Sequence, residues 1–140
     1  SELNIEYSEE KEIESIHNYI DFNDLIIRKG AISAHLNQKC LISLNMRDGV
    51  LFCIGKGNQE WNMSSAHGAG RMLQRDQAKS KISLRQFKEE MKNVYSTTVT
   101  LDTIDESPSV YKDPNMIIKL IEPSVTIVDH WKPIINVKGS

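Results

Sequence analysis

Apolar and polar residues change rhythm several times along this chain, and each change marks an element. Ile13, Ile16 and Ile20 fall at i, i+3 and i+7, which predicts a short amphipathic helix over residues 9–20 that ends near His17-Asn18-Tyr19. Two apolar runs follow, LIIRKGAISA at 25–34 and CLISLNMRDGVLFCI at 40–54, interrupted by Lys29-Gly30 and Asp48-Gly49. Runs of this kind predict strands joined by tight turns, the second being a hairpin. After the loop GKGNQEWNMSSA the pattern turns helical from Arg71, and Ser83-Leu84-Arg85-Gln86 supplies a capped start for a helix whose apolar stripe is Leu84, Phe87 and Met91. Residues 94–101 are rich in strand formers. Asp113-Pro114 reads as an N-cap followed by proline at the first helical position of DPNMIIKLIE, and VTIVDHWKPIINVKG closes the pattern with a strand. The irregular alternation predicts an α+β fold, a mixed sheet with hairpins packed by several short helices, and not a doubly wound sheet.

Composition narrows the class. With 140 residues, 39% of them hydrophobic, the chain suits one unit with a substantial core, and no repeat, low-complexity tract or long linker divides it. No apolar run approaches the roughly 18 residues of a membrane span, and the start, SELNIEYSEEKEIES, is acidic where a secretory signal is basic and then apolar, so a cytoplasmic location is expected. Cys40 and Cys53 sit in apolar segments without C-x-x-C spacing, which favours buried thiols over a disulfide or a zinc site.

The net charge of −2 hides an asymmetry: residues 1–24 hold eight acids against Lys11 alone, whereas residues 71–92 hold seven basic side chains against three acids. On a helix Arg71, Arg75 and Lys79, at i, i+4 and i+8, would share one face. That face is either simply solvated or turned towards a polyanion.

Chemistry points to SSAHGAGR at 64–71, since the chain lacks a P-loop, a dinucleotide-binding glycine fingerprint, an H-E-x-x-H pair and a G-x-S-x-G elbow. Gly68 and Gly70 flank Ala69 at an apparent helix start, where backbone N–H groups and the helix dipole favour an anion. The positive helix end would keep His67 neutral and available as a nucleophile towards phosphorus. The alternative is that these residues make only a tight strand-to-helix connection. His17 reads as a helix-end histidine or a metal ligand, while His35 and His130 have no partner at local spacing.

Six collinear motifs, HNY (17–19), RKGA (28–31), GKGN (55–58), SAHGAGR (65–71), VYKD (110–113) and VKG (137–139), resemble in order and spacing the C-terminal part of the RtcB family of RNA-splicing ligases. The resemblance runs from about residue 15 to the end. It implies a GTP- and manganese-dependent ligase that joins RNA 3'-phosphate or 2',3'-cyclic phosphate ends to 5'-hydroxyl ends through a guanylyl-histidine. On that basis His67 matches the guanylylated nucleophile, Asn18, Gly68, Ala69 and Gly70 match nucleotide contacts, and His17 matches one manganese ligand. Lys138 matches the lysine that meets guanine, and Tyr111 a tyrosine near the nucleotide.

Two departures qualify what the resemblance implies. The family's PGSMG segment is replaced by Ser43-Leu44-Asn45-Met46-Arg47, whose larger side chains are expected to reshape or block part of the nucleotide pocket. The family's remaining metal ligands come from an N-terminal portion without counterpart here, so the chain is expected to be a portion of a larger catalytic domain and inactive by itself. A nucleotide- or RNA-binding module, or a regulatory paralogue that has lost ligation, is the alternative.

Overall fold

The structure, a computed structural model, describes residues 13–139. Its strands form three small antiparallel sheets. β1 (Tyr19–Asp21) pairs with β2 (Ile26–Arg28), and β3 (Ala31–Ser33) pairs across a gap in sequence with β6 (Ser64–Ala66). β4 (Lys39–Asn45) and β5 (Gly49–Gly55) form the expected hairpin, with Gly49 at φ +81° in its turn, and β7 (Val125–Trp131) completes a three-stranded sheet in the order β4-β5-β7. Among the described residues, parallel pairing occurs only at isolated bridges, Ser43 with Gly68 and Tyr95 with Ile135. Helices α1 (Arg75–Lys81), α2 (Leu84–Glu90) and α3 (Pro114–Ile121) complete an α+β fold, as the pattern predicts.

The capping signals act as the sequence suggests. Ser83 accepts the Gln86 N–H at the start of α2, and the Asp113 carboxylate accepts the Asn115 N–H ahead of Pro114 in α3. Each bond satisfies one of the donors a helix start leaves open.

Two apolar clusters hold the elements together. One gathers Ile32, Ile42, Leu44, Leu51, Ile117, Ile121 and Val125 between the β4-β5-β7 sheet and α3; the other packs Met46, Ala78, Phe87, Met91, Val94, Ile104 and Val110 around α1 and α2. Fully burying a side chain of Ile, Leu or Phe size stabilises by about 1.5–3 kcal/mol. Cys40 and Cys53 face each other across β4 and β5 as free, buried thiols, and burial pushes them up to about 11 and about 12, so neither is a thiolate at neutral pH. Tyr111 packs against both clusters, so the seam between them lies next to the SAHGAGR segment.

Three expectations are corrected. Within the predicted helix of residues 9–20, positions 13–18 are irregular and β1 begins at Tyr19; residues 9–12 lie outside the described part. Asn18 takes a left-handed φ of 61°, which breaks a helix, and Ile20 instead pairs across the sheet with Ile27. Residues 94–101 form no named strand. Their hydroxyls, Ser96 with Thr98 and Thr103 with Thr98 and Thr100, bond locally and take the place of ladder pairing. The third correction concerns Arg71, which lies outside any helix: Gly70 at φ +72° turns the chain, Arg71 pairs with Tyr111, and α1 starts only at Arg75. Arg71, Arg75 and Lys79 therefore do not share a helix face.

Candidate nucleotide site

Strand register decides which residues meet at His67. In the β3-β6 pair Ala31 lies opposite Ala66, so the next residues outward, Gly30 and His67, face each other. His67 Nδ1 lies 2.7 Å from the Gly30 carbonyl oxygen, and the His67 backbone N–H reaches the same oxygen at 3.4 Å. A carbonyl only accepts, so Nδ1 carries the ring proton and the neutral imidazole has its lone pair on Nε2. The His17 ring stacks on His67 with centroids 4.7 Å apart and planes 17° from parallel.

The phosphate cradle expected at a helix N-terminus is not formed there, because β6 ends at Ala66 and the next helix begins only at Arg75, four residues beyond Arg71. The glycines serve a different purpose. A Cβ on Gly68 would lie 2.8 Å from the Ser43 carbonyl oxygen, a separation that side chains do not tolerate, so Gly68 permits close approach of two backbones. Ala69 donates its N–H to Ser43 at 2.9 Å, and Gly70 supplies the positive φ that swings Arg71 towards Tyr111.

These residues line one open cavity of about 950 Å³. His17, His67, Gly68, Ala69, Gly70, Arg71, Arg75, Tyr111 and Lys138, drawn from distant parts of the chain, all border it, together with Trp131, Lys132 and Glu106. Asn18 and Lys79 do not border it. Asn18 accepts the Gly30 N–H on its Oδ1 at 2.6 Å, and Lys79 is exposed on α1.

Glu106 is the residue that local sequence reasoning misses. Its carboxylate accepts from Arg71 Nη2 at 2.6 Å and from the Tyr111 hydroxyl at 2.5 Å, and lies 3.2 Å from Lys138 Nζ. Burial alone would raise its pKa, but the bonds from Tyr111 and Lys138 and the Arg71 charge hold the carboxyl below its ordinary value. Burial and the Glu106 charge push the Tyr111 hydroxyl up to about 12, so it stays a hydrogen-bond donor. Arg71 is further committed to the Asp105 carbonyl at 2.6 Å and to the Tyr111 face, 5.1 Å from the ring centroid. Arg75 is the freer cation at the rim: its side chain is 72% exposed and its Nε lies 3.7 Å from Asp105. The only signal for Glu106 in the sequence is its place five residues before Tyr111 in IDESPSVY.

Four residues of the replacement segment, Ser43, Leu44, Asn45 and Met46, border the cavity. Leu44 and Met46 are buried in the two apolar clusters, while Asn45 caps the hairpin turn by accepting from Arg47 and Asp48. Arg47 is paired outward with Asp48. His35 and His130 have structural roles, His35 bonding Asp24 and His130 bonding the Asp48 carbonyl. Among the described residues no three His, Cys, Asp or Glu side chains gather as a metal cage, so His17 is a lone candidate ligand and these residues do not by themselves fit a manganese site. Among the described residues no helix is long and apolar enough to cross a membrane.

Comparison with known proteins agrees with the motif order. The chain is 30% identical over 135 residues to RNA-splicing ligase RtcB of Escherichia coli strain K12 and to RNA-splicing ligase RtcB1 of a second Escherichia coli strain. Each alignment covers 92% of this chain and 33% of the relative, so the chain spans about a third of the length of the curated relatives it matches. The family described as tRNA-splicing ligase RtcB matches over residues 2–139, and with four of the six collinear motifs contributing to one cavity, this chain belongs to that RNA ligase family.

Proposed function

We propose that this chain forms the guanylate-accepting portion of a GTP- and manganese-dependent RNA ligase, with His67 as the nucleophile. The observation that carries the reading is the Nδ1-to-Gly30 hydrogen bond, which leaves the Nε2 lone pair of His67 available beside an open cavity. In the proposed reaction Nε2 attacks the α-phosphorus of GTP, a P–N bond forms, the bond to the bridging oxygen breaks and pyrophosphate leaves. An oxygen of the RNA 3'-phosphate then takes the guanylate from His67, and the 5'-hydroxyl displaces GMP to seal the strand.

The cavity residues suit the parts assigned to them. Lys138 and Tyr111, tied together by Glu106, are assigned to the nucleotide, with Gly68, Ala69 and Gly70 beside the phosphate. Arg75 is assigned to RNA phosphate at the rim. Arg71, held by Glu106 and Asp105, serves to orient Tyr111 and is not assigned an RNA contact. Manganese, when bound, would neutralise charge developing on the phosphoryl group. His17 would be one of its ligands, and the others would come from residues outside this chain.

The test uses a polypeptide of the relatives' full length that carries this sequence, incubated with manganese and GTP labelled on the α-phosphate. Label should appear on His67, survive base and be lost in acid, as a phosphoramidate is. Undiminished labelling of the His67→Ala variant would refute the assignment. Reversible GTP binding without label would favour the binding module that has lost ligation.

A further inference from the structure

Asn18 lies outside the cavity, yet it is one bond removed from the proposed nucleophile. Two strand registers converge on the same turn. β1 and β2 pair Tyr19 with Arg28, which brings Asn18 alongside the Lys29-Gly30 turn, and β3 and β6 pair Ala31 with Ala66, which brings His67 to its other side. At the meeting point the Gly30 N–H donates to Asn18 Oδ1 at 2.6 Å, and the Gly30 carbonyl accepts from His67 Nδ1 at 2.7 Å. Gly30 sits at φ +65°, which glycine adopts without strain but without preference over other conformations, and Asn18 sits at φ +61°, which few other residue types tolerate.

We infer that Asn18 is a positioning residue for His67: by fixing the Gly30 N–H it anchors the left-handed Gly30, whose carbonyl, on the following peptide unit, accepts from Nδ1 and so selects the imidazole tautomer with its lone pair on Nε2. The inference rests on the reading of His67 as nucleophile, and it gives Asn18 a role that needs no contact with nucleotide. With that anchor lost, rotation about the φ and ψ of Gly30 would turn the carbonyl of the following peptide unit away from Nδ1. His67 would then revert towards the Nε2–H tautomer that an unconstrained histidine favours, and that tautomer presents no lone pair at Nε2.

The supporting backbone is itself pinned. Arg28, only 2% exposed, bonds Asp21 and Asp24 at 2.6 Å each, Ser64 at 2.8 Å and Tyr19 at 3.1 Å. That one guanidinium ties the β1-β2 hairpin to the start of β6, so the two registers cannot slide independently. Within this frame the Asn18 bond restrains the φ and ψ of Gly30 from the N–H side, and the long bond from the His67 N–H, at 3.4 Å, adds to it from the carbonyl side.

The test reads the tautomer directly, by ring-nitrogen chemical shifts of His67 in the 140-residue chain at a pH where the ring is neutral. Wild type should show Nδ1 protonated and Nε2 bare. Asn18→Gly removes the acceptor and keeps the left-handed backbone without strain, and should make the Nδ1–H form a minor population. Asn18→Asp retains an acceptor oxygen at the same place and should restore the wild-type tautomer, although a carboxylate there would repel a nucleotide phosphate. An unchanged tautomer in Asn18→Gly would overturn the inference. A second measurement needs no variant: a through-hydrogen-bond correlation should link the Gly30 amide nitrogen to the Asn18 side-chain carbonyl carbon, and its absence would overturn the inference equally. Neither readout requires guanylation, so a chain that never labels yet shows the tautomer shift counts against the ligase reading alone.

Discussion

Replacing Glu106 by glutamine keeps the shape of the side chain and removes the charge on which Arg71, Tyr111 and Lys138 converge. Glutamine offers one acceptor oxygen for these three donors, and its amide N–H₂ must point at one of the groups that formerly donated. Removing one partner of a buried ion pair costs about 3–5 kcal/mol, but the Lys138 and Arg71 side chains are 43% and 25% exposed and water screens part of that loss. The expected loss is therefore about 2–3 kcal/mol, which for a chain of this size lowers Tm by roughly 6–12 °C. Urea unfolding and thermal melts of wild type and Glu106→Gln at neutral pH measure it. The pH dependence gives a sharper test. The carboxyl is held below its ordinary value in the folded chain, so its stabilisation is fully present above the unfolded pKa of about 4.3 and is lost as pH falls through the folded value. Wild type and variant should thus converge in acid, where a protonated glutamic acid resembles glutamine. Equal stability at neutral pH, or a gap that stays constant down to strongly acidic pH, would refute the view of Glu106 as the charged hub of the cavity.

Two further outcomes follow from the same geometry. Gly68→Ala places a methyl group 2.8 Å from the Ser43 carbonyl oxygen, and the β4-to-SAHGAGR seam must open to admit it; a loss of about 1–3 kcal/mol in urea unfolding is expected, with faster exchange of the Ala69 amide. In a polypeptide of the relatives' full length, Arg75→Ala should reduce the slope of log affinity for single-stranded RNA against log salt by about 0.7, and Lys79→Ala, away from the cavity, should leave it unchanged.

How much of this was legible before folding depends on whether a residue's partner is near it in sequence. The starts of α2 and α3 were readable because Ser83 and Asp113 cap amides two or three residues away, and the β4-β5 hairpin because its strands flank one turn. The segment 64–71 stood out because a histidine among small residues is a local pattern, and its collinear companion motifs supplied the family. The helix read from Ile13, Ile16 and Ile20 failed because isoleucine spacing carries no information about a left-handed Asn18, and residues 94–101 failed because hydroxyls that suit a strand bonded one another instead.

What only the tertiary structure decided lies in bonds that span many residues. Arg71 looked like one cation in a helical stripe, but Glu106, 35 positions away, turns it inward and leaves Arg75 as the exposed charge at the rim. Asn18 is matched to the nucleotide by resemblance alone, and it is strand register that delivers it to Gly30, and Gly30 to His67, 37 positions further on. The sequence by itself determined which side chains are present and which short segments cap, turn or pair locally, because those preferences are set within a turn or two of backbone. The choice of tautomer on His67 follows from the β3-β6 register, and the sharing of one carboxylate among three donors from the meeting of residues 71, 106, 111 and 138, conditions met only when distant parts of the chain are in place.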